Sequence, residues 1–168
     1  MSDPRTPLNV LFLCTHNSAR SILAEALLNA MGQGRFKAYS AGSSPREHQQ
    51  PHPLGLQVLA QAGIPTEGLR SKSWDEFAAP GAPHMDLIVT VCDNAAGEAC
   101  PFWPGHPATA HWGYADPSAG GGSDADKLEA FRKTLHAIQR RLELLVNLPH
   151  DKLAAAVLQA TARNLPAQ

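Results

Sequence analysis

The sequence predicts an α/β fold of three layers, an open parallel four-stranded sheet with helices on both faces. Three observations point there. The first apolar run, Leu8 to Leu13, is nearly continuous rather than alternating, as a strand buried on both faces requires. Apolar residues then recur at helical spacing from Ser18 to Met31. The strand-then-helix succession returns further along the chain, which is the pattern of βαβ units. In such sheets, sites form outside the carboxyl ends of the strands.

Taken in order, Leu8 to Leu13 is the first strand and stops at Cys14. From Ser18, Ile22, Leu23, Ala26, Leu27, Ala30 and Met31 share a helical face, and Gly32 supplies the stop. Phe36 to Ser40 reads as a second strand closed by Ala41-Gly42. Pro53 to Ala62 reads as a helix, with Leu54, Val58 and Leu59 on one face and Gly63 after it. Leu87 to Val91 is a strand that ends at a second cysteine, Cys92. From Asp93 to Gly122 the chain is rich in Gly, Pro and Ala, with one short strand candidate at Thr109 to Trp112. Loops of that length usually carry function. Leu128, Phe131, Leu135, Ile138, Leu142 and Leu145 repeat at steps of three and four, a helix that Ser123 or Asp124 can cap and Pro149 ends. An alanine-rich stretch from Asp151 to Asn164 reads as a helical extension over about 150–165.

The 168 residues fit a single domain, 1–168. A net charge of −1 and a pI near 6.7 give no cationic footprint for nucleic acid. No apolar stretch approaches the roughly 20 residues of a bilayer span. Met1 to Pro7 is polar with two prolines and lacks the features of a secretory signal, so the expectation is a cytoplasmic protein without nucleic-acid or membrane partners. Three cysteines in a reducing compartment point to thiol chemistry rather than structural staples.

The segment Cys14-Thr15-His16-Asn17-Ser18-Ala19-Arg20-Ser21 places a thiol at a strand end, a short loop, and a guanidinium in the first turn of a helix. Such a loop can turn successive N–H groups inward, reinforced by the helix dipole, to seat a tetrahedral oxyanion. Arg20 adds a planar bidentate clamp that lysine could not reproduce. The same donors stabilise a thiolate at Cys14, with Ser21 able to donate to the sulfur and Asn17 placed to hold the loop.

These residues resemble the Cys-x5-Arg-Ser signature of the low-molecular-weight protein tyrosine phosphatases, over a family-like core of about 8–147. The resemblance implies that fold, and a general acid in an Asp-Pro dipeptide, matched here by Asp116-Pro117. Thr90-Val91-Cys92, Cys100-Pro101 and His111-Trp112-Gly113 resemble the branch of this superfamily that reduces arsenate for arsenical resistance. It implies Cys14 as nucleophile, Arg20 and the loop Thr15 to Ser21 as oxyanion binders, and Asp116 as acid. Cys92 and Cys100 would relay electrons to thioredoxin or glutaredoxin, with no cofactor. Ser118 follows Asp116-Pro117 where phosphatases carry an aryl-gripping tyrosine, which favours a small inorganic anion. The chain departs from the branch in two places. Seven residues separate Cys92 from Cys100, one more than in the best-known relays. His16 and Ala19 stand where the family often has glycine and another cysteine, so either the loop backbone differs at His16 or that residue takes a positive φ, which histidine tolerates better than most.

A phosphatase using Cys14, Arg20 and Asp116 is the alternative reading, and aryl phosphate hydrolysis would favour it. A zinc module of Cys92, Cys100, His106 and His111 has too long a first spacing for a structural site. An anion sensor would have inert thiols. His48 and His52 read as solvated, since Pro51 interrupts them, and Lys72 reads as solvated surface. Trp74, Phe77, Trp103 and Trp112 read as packing residues. Asn17, Glu25 and Ser40 resemble three ligands of a potassium site known in some family reductases, but Trp74 falls where a fourth is expected, and no ion is predicted.

Overall fold

The computed structural model describes residues 7–32, 34–92 and 108–149. Four strands, β1 (Leu8–Cys14), β2 (Phe36–Gly42), β3 (Leu87–Thr90) and β4 (Ala108–His111), form one sheet in the order β2-β1-β3-β4. Every pairing is parallel. The helices are α1 (Arg20–Met31), α2 (Pro53–Gln61), the short α3 (Asp75–Ala78) and α4 (Asp124–Val146). The α/β class, the parallel four-stranded sheet and the two covered faces match the expectation. Strand and helix ends shift by one or two residues, and α3 is an element the pattern is too short to reveal. Cys100 and the proposed helix from Asp151 to Asn164 lie outside the described residues.

The two sheet faces are covered unequally. Val10 and Phe12 of β1, Leu87 and Val89 of β3, and Ala110 of β4 belong to the larger cluster, packed with Leu23 and Leu27 of α1, Leu59 of α2, and Phe131, Ile138 and Leu142 of α4. Leu11, Leu13 and Ile88 face the other way, against Met85, Trp74 and Phe77. Strand β1 is therefore buried on both sides, which explains its lack of alternation. Trp74, Phe77 and Trp112 pack as expected, while Trp103 is outside the described residues.

Local chemistry fixes the long helix. The Ser123 hydroxyl accepts from Asp126 N–H, and the Asp126 carboxylate accepts from Ser123 N–H, both at 3.2 Å, so Ser123 rather than Asp124 is the cap. At the far end Arg35 donates to the carbonyls of Val146 and Leu148, each at 2.7 Å, satisfying groups that a helix end leaves open. Among the described residues no helix is long and apolar enough to cross a membrane.

After β4 the chain stays pinned to β3: Trp112 N–H donates to Thr90 O at 2.8 Å, and Tyr114 N–H to Val91 O. Trp112 is fully buried and Tyr114 nearly so. Burial pushes the Tyr114 phenol up to about 12, with the positive Arg141 pulling only partly against it. Because the folded value lies above the ordinary 10.0, this group's contribution is complete below pH 10 and is lost as pH rises through the folded value. In a Tyr39→Phe variant, phenolate absorbance should therefore appear only near pH 12. A rise centred near the ordinary value would show that the Tyr114 ring is not enclosed.

Candidate active site

The carboxyl end of β1 delivers Cys14 to the mouth of the sheet, and the loop from Thr15 to Ala19 turns the chain into α1. The turn is made at Asn17, whose φ is +58°, a conformation asparagine tolerates better than most residues. His16 does not adopt it, so of the two readings of that position the positive φ is the one not observed. Asn17 is fully buried, and its amide reaches both ways. Nδ2 donates to Ser21 Oγ at 2.7 Å, and Oδ1 accepts from Lys72 N–H at 2.9 Å. Its own N–H points at the Cys14 sulfur at 3.1 Å, and Ser21 Oγ lies 2.9 Å from the same atom. With its acceptor capacity facing Asn17 Nδ2, the Ser21 hydroxyl is left to donate to sulfur, so two donors converge on that atom.

Arg20, in the first turn of α1, is 5% exposed. It donates from Nη1 to the Tyr114 carbonyl at 2.9 Å, while Nη2 lies 3.9 Å from Asp116 Oδ2. The distant Asp-Pro loop is thus brought against Arg20 at the start of α1. Asp116 Oδ1 accepts from Ser118 N–H at 2.9 Å and Ser118 Oγ at 2.7 Å, which leaves Oδ2 toward the site. Strand β3 lies beside β1 with Leu13 opposite Thr90. Continuing that register sets Val91 opposite Cys14 and Cys92 one step beyond, and Cys92 is buried. His111 contacts Thr90 Oγ1 through Nδ1 at 2.7 Å.

Of the residues read as solvated, Lys72 is not, and His52 is only partly so. Lys72 has a side chain only 8% exposed, 3.8 Å from Glu25 Oε1, and Glu25 also accepts from Ser40 Oγ. Burial raises Glu25 and lowers Lys72, and each partner's charge works against the other's shift without cancelling it. His52 caps α2, its Nδ1 accepting from Leu54 N–H at 3.2 Å, and its ring packs on Phe131. Its backbone N–H donates to Ser18 O, and burial lowers its pKa. His48, by contrast, is exposed as expected. A cleft of about 600 Å³ opens beside the loop, lined by His16, Ser18, Arg46, His52, Asp116 and Ser118 among others. Among the described residues, no group of three or more His, Cys, Asp or Glu side chains could hold a metal ion.

Gly42 closes the loop from behind. A Cβ there would lie 2.6 Å from Thr15 O and 2.9 Å from the His16 carbonyl carbon, both backbone atoms. Ser43 and Ser44 N–H bond the carbonyls of Cys14 and Thr15, so the loop cannot simply move away. Gly42→Ala should destabilise the protein by about 1–3 kcal/mol and weaken oxyanion binding. Denaturant melts and phosphate titration check this, and an unchanged phosphate affinity would refute the close approach.

The family model described as low molecular weight phosphotyrosine protein phosphatase matches residues 9–159. An arsenate reductase of Bacillus subtilis is 33% identical over 134 residues, covering 80% of this chain and 91% of the relative. The crystal structure of arsenate reductase from Archaeoglobus fulgidus superposes with a TM-score of 0.65 at 33% identity, over 83% of this chain and 99% of that one. A thioredoxin-dependent arsenate reductase of Corynebacterium glutamicum gives a TM-score of 0.52 at 25% identity, over 83% of this chain and 64% of that one. With the Cys-x5-Arg-Ser loop, the Asp-Pro dipeptide and the sheet order all in place, the chain belongs to the low molecular weight phosphotyrosine protein phosphatase family.

Proposed function

We propose that this protein is an arsenate reductase, in which Cys14 is the nucleophile and Cys92 and Cys100 carry electrons to an external dithiol protein. The observation that carries the reading is the pair of donors, Asn17 N–H and Ser21 Oγ, aimed at the buried sulfur of Cys14, in a loop that ends at the buried Arg20. That the relatives named above are arsenate reductases supports it, as does a second buried thiol, Cys92, two residues past the strand beside β1.

In the first step the Cys14 thiolate attacks arsenic of an arsenate seated by the loop N–H groups from Thr15 to Ser21 and the Arg20 guanidinium. A sulfur–arsenic bond forms, and the departing oxygen takes the Asp116 proton. Cys92 as thiolate then attacks Cys14 sulfur. The sulfur–arsenic bond breaks with its electron pair left on arsenic, which falls from the +5 to the +3 state as arsenite. Cys14 and Cys92 are now a disulfide. Cys100 attacks Cys92 in turn, freeing Cys14, and the Cys92–Cys100 disulfide is reduced by thioredoxin or glutaredoxin. Such regeneration belongs to a reducing compartment, in keeping with a cytoplasmic protein. No metal or organic group enters any step.

Cys14→Ser should abolish arsenate reduction, measured as arsenite released with thioredoxin, thioredoxin reductase and NADPH. Cys100→Ser should release about one arsenite per enzyme and leave a Cys14–Cys92 disulfide visible by peptide mass spectrometry. Sustained turnover by Cys100→Ser would refute the relay. If rapid aryl phosphate hydrolysis occurred without any arsenite release, the phosphatase reading would replace this one.

A further inference from the structure

The buried face of α4 is apolar except at one position. Beside Phe131, Leu135, Ile138, Leu142 and Leu145 stands Arg141, 6% exposed. Its guanidinium carbon lies 5.4 Å from the ring centroids of both Trp112 and Tyr114. Among the described residues its Nε has no hydrogen-bond partner, nor has the Tyr114 hydroxyl, and no carboxylate among them pairs with it. An Nε sealed from water with no partner among the described residues opposes folding. Two aromatic faces offset part of that penalty. At a site flanked by leucine and isoleucine, an apolar side chain of similar length should be at least as stable, so packing alone does not account for arginine here.

What the cation holds is the segment that completes the site. Trp112 and Tyr114 sit two residues apart on the continuation of β4, with Gly113 between them. The Tyr114 carbonyl accepts from Arg20 Nη1, and Asp116 follows two residues later with Oδ2 3.9 Å from Arg20 Nη2. Backbone bonds to Thr90 and Val91 pin the segment's start, but the set of the Tyr114 peptide depends on how its ring is seated. We infer that Arg141 is a positioning residue for the reaction: gripping the Trp112 and Tyr114 rings from α4, it fixes the carbonyl that orients Arg20 and the approach of Asp116. This rests on the roles given above to Arg20 and Asp116.

The test compares Arg141→Met, which keeps length and removes charge, with Arg141→Lys, which keeps a cation. The methionine variant should melt at the wild-type temperature or above it, while kcat/KM for arsenate falls roughly tenfold to a hundredfold. Its affinity for inorganic phosphate, measured by calorimetry, should fall several-fold, because Arg20 is no longer pre-set. The lysine variant should recover most of both. Opposite movement of stability and activity is the signature that a purely structural role would not produce. Wild-type kinetics and phosphate affinity in Arg141→Met would overturn the inference. So would a loss of activity that tracks a lowered melting temperature and is not restored by lysine. If the wild-type protein reduces no arsenate, the functional reading fails, while the phosphate arm still decides the role of Arg141.

Discussion

One sulfur and the two donors that converge on it organise this molecule. Asn17 must enter the left-handed region for its N–H to face Cys14, and it can stay there because its side chain is anchored at both ends, to Ser21 and to the backbone of Lys72. The anchors come from different elements. The N–H groups of Ser43 and Ser44, just past β2, hold the loop's first carbonyls, and Gly42 lets two backbones approach within the distance a methyl group would need. A buried polar network of this kind stabilises only when each member is satisfied, and in Asn17 every amide atom has a partner. The reactive geometry is thus a property of the sheet edge and the helix start together, not of the loop alone.

Behind that network lies a second charged layer. Glu25, Ser40 and Lys72 are buried together, and burial disfavours the ionised forms of both Glu25 and Lys72. Such a pair adds little net stability. Its use is positional, since Lys72 contributes the backbone N–H that grips Asn17 and Ser40 belongs to the strand beside β1. Arg141 repeats the theme on the other flank, as a buried charge that secures a segment rather than strengthening the core. Charges placed inside this protein sit where a backbone is held beside the Cys14 loop or the segment that meets Arg20.

Much of this was legible in the sequence. The unbroken apolar run of β1, the three-and-four spacing of α4 with its serine cap, and the thiol-to-guanidinium spacing each report a local physical requirement, and the structure bears them out. What escaped were features made by distant partners. Lys72 reads as surface because its neighbours are polar, yet Glu25 from α1 buries it. His52 reads as solvated because Pro51 breaks the helical spacing, but Pro53 starts α2 there and makes His52 its cap. A left-handed His16 is one of the two readings that the common glycine at its place allows; the side-chain anchors that stabilise such a backbone belong instead to Asn17. Nothing in the stripe pattern of α4 distinguishes Arg141 from a solvated neighbour, because the rings that cover it come from beyond β4.

The convergence of donors on Cys14 is tested most directly by the alkylation rates of the individual cysteines, followed by peptide mass spectrometry with iodoacetamide near neutral pH. The account predicts that Cys14 reacts faster than Cys92 and that inorganic phosphate or arsenate, by filling the loop, protects it. A Cys14 that stays inert while other thiols react, or that reacts at the same rate with and without oxyanion, would contradict it.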